Sequence, residues 1–571
     1  MRRVRRTHVT LPALAGQAIR VSFGAVVARA GAALWRRTHS VAPQRILFAP
    51  ESLAECDAAQ SSDIYAGVFQ LAGETVDTAG GSPFTAPPPS EEWAKALHSF
   101  TWLVHLEATA SPLSSSNARA LVEEWLVSRA ANGPAAQDPA VMAARLTAFL
   151  VESPLLLSGA EATFRADFLR ALGRHMRKLE RLAGTLGLSL TRAEVLIALA
   201  LAGTVIADQT RLQKSALAAL AETLEAQVLP DGGHASRSPQ ALARLLTTLI
   251  PLREALLRRQ QPVPPPINSA IDRMMPMLRF FQHADGRLAA FHGGAPTPDH
   301  TLDAIESFDE VQGRPTDNAR YSGFQRLEAG GGVVLFDTGV APPPPYAREA
   351  CASALSFEYS HEGQTLVGNC GALGLVRPQW ARASRATAAH TTLTLANRSS
   401  ARILSLWPLT RVFGPVLFGG PRKVDVTRDA LSAAATHDGY HTAFGITHER
   451  TLVLSGDGLY LEGTDKLIGN DRLAGAKFAV RFHLGAGIRV RLDKPRRNAM
   501  LHMEDGAIWL FTLDKGPGLA LEESVVLTPQ RKLRRTAQVV IAGNTLTDDT
   551  IRWHIARHAA PLADDETDDA T

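Results

Sequence analysis

Three cysteines in 571 residues, Cys56, Cys351 and Cys370, are too few for a disulfide scaffold or a four-cysteine zinc cluster. Tyrosine is scarce too, with six residues at positions 65, 321, 346, 359, 440 and 460. No stretch reaches 18 uninterrupted apolar residues, so no membrane span is expected. Neither sign of charge dominates. Sixty Lys and Arg against 56 Asp and Glu give a net charge of +4, which is no argument for a nucleic-acid partner in so long a chain. Glycine (44) and proline (34) are near ordinary usage, which excludes collagen-like and broadly disordered classes. The length allows large domains, each with a substantial core.

Charge concentrates at the ends. Arg2, Arg3, Arg5 and Arg6 open the chain, and Asp564, Asp565, Glu566, Asp568 and Asp569 close it. Like-charge blocks repel and bury nothing, so residues 1–60 read as an N-terminal extension and 559–571 as an acidic disordered tail. A targeting signal is the other reading of the N-terminus. There the arginines precede an apolar stretch, Leu11 to Ile19, but Arg20 and Arg29 interrupt it and make a weak leader.

The chain changes character near residue 320. From about 92 to 283 apolar residues recur at helical spacing, as in Trp93, Leu97, Phe100, Leu103 and Val104. Ala193 to Ala207 is apolar nearly all round and predicts a buried helix. Further helices are predicted at 213–229, 239–258 and 268–282, with breakers such as Pro230-Asp231-Gly232-Gly233 at the joints. No constant period supports a solenoid. From 321 to 558 short alternating runs are separated by turn signals, for example Val333 to Phe336 and Thr391 to Leu395. That pattern predicts a large antiparallel β-sandwich after a helical bundle or incomplete α/α toroid, with domains at 61–320 and 321–558.

Several segments sharpen this division. In order they are LPDGGHASRSP (229–239), HADGRLAAFHG (283–293), SGFQRLEAGG (322–331), LSFE (355–358) with NCG (369–371), and RATAAHTTL (385–393). HDGY (437–440), HER (448–450) and DGLYLEG (457–463) follow. Taken in this order, the set resembles the heparinase II/III family of polysaccharide lyases, in its bacterial branch, over about residues 60–550. The resemblance implies an α/α toroid followed by a β-sandwich, in agreement with the periodicity. It also implies an acidic polysaccharide as partner, a lyase acting by β-elimination on a uronate-containing chain, and a periplasmic or envelope location. The weak leader leaves a cytoplasmic location open.

β-Elimination needs neutralisation of the uronate carboxylate, a base for the C5 proton and an acid for the leaving oxygen. Arginine suits the carboxylate, because its planar fork pairs bidentately. His234 and Arg237, in the loop between two predicted helices, are candidates; the same loop also reads as a turn with Ser238 as helix cap and Pro239 as first helical residue. His283 and His292 are substrate candidates, with a helix end and turn as the plain alternative for His283. Arg385 is a further substrate candidate. His390 resembles a histidine that holds a structural metal, usually zinc, in the family. The partner positions fall on Cys351, Asn369 and Cys370, where the family carries histidine and aspartate. Cys351 and Cys370 therefore read as buried thiols, metal ligands or a disulfide. A catalytic histidine of the family falls on Glu349, which would act as a base only with a raised pKa. The toroid has no tyrosine after Tyr65, and Tyr321 at the junction is the nearest stand-in for the family's proton-transfer tyrosine; it also reads as an interface residue. The catalytic expectation is His234, Tyr321 and Glu349 in one inter-domain cleft. The alternative is a catalytically degenerate, glycan-binding protein of envelope polysaccharide metabolism.

Overall fold

The computed structural model describes residues 41–558, apart from 109–110, 296, 298, 310–314, 405–413, 470–474 and 529–530. The expected arginine-led segment and acidic tail lie outside the described residues. From Ala58–Tyr65 to Asp299–Glu306 the chain is helical, with one short hairpin, Val68–Leu71 and Glu74–Asp77. The hairpin strands have four residues each and are largely half-exposed, too short for alternation to register in the sequence.

Helix Leu190–Val205 is buried continuously from Val195 to Val205, as its all-round apolar surface requires. The Ser189 side chain caps it by accepting the Arg192 N–H at 3.2 Å. Thr210–Gln227, Pro239–Arg258 and Pro265–Phe280 follow, close to the predicted spans. Pro239 and Pro265 each stand at a first helical position, where a missing N–H costs nothing. Residues 41–57, within the expected N-terminal extension, strap the toroid. The Leu47 N–H donates to the Val205 carbonyl at 2.8 Å, the Ala207 N–H donates to the Arg45 carbonyl at 3.0 Å, and Arg258 stacks over Phe48 at 4.5 Å.

The β half holds two large antiparallel sheets. In spatial order one runs Leu519–Leu527, Leu533–Asn544, Lys477–Leu484, Gln364–Gly368, Phe357–His361, Gly332–Asp337, Phe324–Ala329 and Asn318–Ala319. The other runs Val424–Asp429, Ser432–His437, Ile446–Leu454, Tyr460–Gly469, Thr550–Arg557, Ile508–Lys515, Asn498–His502 and Arg489–Leu492. Their inner faces share one apolar core that includes Phe357, Phe482, Phe511 and Trp553. Gly463 is required there, because a Cβ would overlap the Trp553 indole.

The toroid core does not stop at the domain boundary. It continues into Ala319, Phe324, Val333 and Leu335 of the first sheet. The Phe324 ring meets Phe281 at 4.9 Å and Phe291 at 5.2 Å, and the Arg237 guanidinium lies 4.5 Å above it. Arg326 reaches back to the carbonyls of Phe280 (2.9 Å) and Gln282 (2.7 Å). Phe324→Ala is expected to destabilise the protein by about 3–5 kcal/mol, measured by urea unfolding. A loss below about 1 kcal/mol would show that the two halves are not held by this core.

Candidate functional site

The loop 229–239 joins the halves. Gly232 packs against the Arg273 carbonyl and Gly233 against Ser322, so a side chain at either position would collide. Asp231 accepts the backbone N–H of Tyr321 (2.8 Å) and Ser322 (2.7 Å) and the Ser322 hydroxyl (2.7 Å). Arg237 sits in the left-handed region at φ 62°, which turns its side chain into the β half. Its Nε donates to the Ser322 carbonyl (2.6 Å), Nη2 to that of Gly323 (2.9 Å) and Nη1 to that of Val340 (3.1 Å). Nη2 also pairs with Asp337. Ser353 donates to the other Asp337 oxygen at 2.7 Å, and His292 Nε2 lies 3.3 Å from it. Burial alone would raise the Asp337 pKa; Arg237 and His292 outweigh it and hold the carboxyl well below its ordinary range.

Of the expected catalytic trio, His234 is buried while Tyr321 and Glu349 are exposed. His234 is 1% exposed. Its Nδ1 accepts from the Ser236 backbone at 3.1 Å and its Nε2 donates to Gln227 Oε1 at 3.1 Å, so both nitrogens are engaged. Burial, with Arg244 adding, pushes it down to about 3. Glu349 is exposed beside Gly293, near the cleft arginine Arg385, but does not itself line the cleft. Tyr321 does line the cleft, 46% exposed, with the Arg320 guanidinium 4.8 Å over its ring.

His283 and His292 are buried rather than open to a substrate. His283 bridges Ser360 (2.8 Å) and Glu358 (2.9 Å). His292 Nδ1 accepts the Cys351 N–H at 3.2 Å. Arg237 touches the cleft, but its charge is answered by Asp337. Ser238 precedes its helix without a side-chain capping bond.

The expected zinc ligands do not fit a metal. Asn369 donates its amide N–H to Glu358 (2.7 Å), and its amide oxygen accepts the Thr391 N–H (3.1 Å). Cys351 and Cys370 are free, buried thiols, pushed up to about 11 mainly by burial. Cys370 instead packs 3.5 Å from His483 Nδ1. His390 is buried with no partner on either ring nitrogen, but among the described residues no group of three His, Cys, Asp or Glu surrounds a common point.

A cleft of about 2350 Å³ opens between the halves. The toroid contributes Leu188, residues between 225 and 237, and Arg273, and the segments from Asn318 onward form the other wall. Nine arginines line it (237, 273, 320, 382, 385, 398, 402, 422 and 428), against Glu225, Asp425 and Asp438. Among the described residues only Arg237 and Arg428 have a carboxylate partner, Asp337 and Asp317, which leaves seven without one. A chain that is nearly neutral overall thus gathers a strongly positive concavity, which raises the local concentration of anions. Sequence inspection missed all of these arginines except 237 and 385, because they come from separate segments between 237 and 428. It also passed over Tyr346, which lines the cleft behind the Pro342 to Pro345 run.

Known proteins share this architecture. The family described as Heparinase II/III-like, C-terminal, matches residues 311–554. FtsZ-localized protein C of Caulobacter vibrioides is 31% identical over 487 residues, covering 83% of each chain. The chain belongs to the heparinase II/III-like family. A crystal structure of heparinase III superposes with a TM-score of 0.67 at 14% identity, covering 96% of this chain and 92% of that one. The heparan sulfate lyase HepC of Pedobacter heparinus gives a TM-score of 0.54 at 15% identity, covering 95% and 88%. These heparinase structures share the toroid-then-sandwich fold seen here.

The buried histidines are expected to make the protein less stable in acid. Burial pushes His98 and His483 down to about 4 and His175, His234 and His390 to about 3, against about 6.5 when unfolded. Between those values the unfolded chain binds more protons than the folded one. Stability therefore falls as pH drops below about 6.5, by up to about 1.4 kcal/mol per pH unit for each group. His234→Gln is expected to flatten the slope of unfolding free energy between pH 6.5 and 4 by one proton. An unchanged slope would contradict the burial of a neutral His234.

Proposed function

We propose that the cleft binds an acidic polysaccharide and does not cleave it by elimination. The observation that carries this reading is the set of seven lining arginines without carboxylate partners. Guanidinium groups pair with carboxylate and sulfate, and several weak exposed pairs along one polymer add to useful affinity. Heparinase III and the heparan sulfate lyase, which share this fold, favour the same ligand class. Against elimination stands His234, buried with both nitrogens engaged.

A second reading is an active lyase on uronate-containing glycan. Tyr321 favours it, as an exposed phenol on the cleft wall. One experiment separates the two. The protein is incubated with heparan sulfate, chondroitin sulfate, alginate and polygalacturonate, while binding is followed by calorimetry and the 4,5-unsaturated uronate by its ultraviolet absorbance. Salt-sensitive binding without absorbance is expected, weakened about 10- to 100-fold by Arg382→Glu with Arg402→Glu. Growth of the absorbance would establish the lyase, and absence of binding to every glycan would overturn both readings.

We also infer a cytoplasmic place beside FtsZ. The relative's name supports it, and the three free cysteines suit a reducing compartment. A fluorescent fusion is expected to follow FtsZ through the division cycle; export of the protein to the periplasm would refute this location.

A further inference from the structure

We infer that Tyr346 and Arg385 form one oxyanion subsite on the cleft wall, taking a carboxylate or sulfate of the glycan; this rests on the acidic-glycan reading above. Tyr346 lines the cleft, yet its hydroxyl oxygen is buried and makes no hydrogen bond. Buried polar atoms are nearly always paired, and an unpaired one costs stability, so a lone donor beside a cleft is a group that a ligand satisfies. Burial pushes the phenol up to about 12, which keeps it a neutral donor under working conditions.

The ring is held in place. Tyr346 ends the short turn Pro344–Tyr346 after prolines that restrict the backbone, and its ring packs edge-on against His234 at 5.7 Å. The engaged nitrogens of His234 thus support a wall for the phenol rather than a base.

Arg385 supplies the charge. Its Nε donates to the Ala350 carbonyl (2.8 Å), Nη1 to that of Pro415 (2.8 Å) and Nη2 to that of Ala347 (3.1 Å). Carbonyls orient the guanidinium without neutralising it; Glu349 is near enough to favour its charge, but among the described residues no carboxylate forms an ion pair with it. A guanidinium has five N–H donors, so two are left over. Ala347 follows Tyr346 directly, so the arginine also braces the turn that carries the phenol. One oxyanion accepting from both groups satisfies the orphan hydroxyl and the two free guanidinium donors together.

Tyr346→Phe tests the subsite, since it removes one oxygen and no protein hydrogen bond. Wild type and variant are titrated with heparan sulfate oligosaccharide in native, carboxyl-reduced and desulfated forms, and both are melted without ligand. The expected result is an unchanged or raised melting temperature and about tenfold or greater loss of affinity for the native oligosaccharide. That loss should vanish on one of the two modified forms, which names the oxyanion as carboxylate or sulfate. Equal affinity of variant and wild type for the native form would overturn the subsite alone. A melting temperature lowered by several degrees would overturn it as well, because the hydroxyl would then be holding the fold. The same loss on both modified forms would overturn the oxyanion assignment. No binding by wild type would overturn the glycan reading and the subsite with it.

Discussion

The arrangement of the two halves depends on the buried ion pair between Arg237 of the toroid and Asp337 of the sandwich. Burying two charges is costly unless every donor and acceptor is answered. Here the guanidinium also donates to three backbone carbonyls, and the carboxylate also accepts from Ser353 and the Gly339 N–H. Loss of either partner would strand a charge in the interface. The segments that the pair holds together, around Ala235 and Arg237 on one side and Ser322 to Val340 on the other, are also cleft walls. The interaction that docks the domains therefore sets the width of the concavity in which the arginines meet.

A second polar network plays the same part inside the sandwich. Asp465 accepts from His448 (2.7 Å), Arg450 (2.8 Å) and Trp553 (3.0 Å), and Arg450 crosses to the carbonyls of Leu355 (2.8 Å) and Thr391 (2.7 Å) in the facing layer. Burial alone would raise the Asp465 pKa, but Arg450 and His448 hold it low. Motif residues such as those of the HER segment thus tie two sheets together. Polar residues in this family fold can mark structure as readily as chemistry.

The division into a helical and a β half was legible because each rests on local periodicity, and helix Pro239–Arg258 was legible to the residue from its leading proline. In the loop 229–239 the turn was legible, since its glycines and Asp231 suit a tight joint. What His234 does in it was not legible. Its burial depends on Gln227 and on Tyr346, and the latter lies 112 positions away. The partner of Arg237 lies 100 positions downstream, and no local pattern announces it. The strap at 41–57 was not legible for the same reason, because its bonds go to residues near 205. The cleft arginines are scattered along the chain, so overall composition, near neutral, concealed their convergence.

The most direct measurement is a structure of the protein with a uronate-containing oligosaccharide. An intact oligosaccharide lying along the arginine-lined cleft, with its glycosidic bonds unbroken, is the expected result. An oligosaccharide bound elsewhere on the surface, or an unsaturated cleavage product in the cleft, would contradict a binding protein built on a lyase fold.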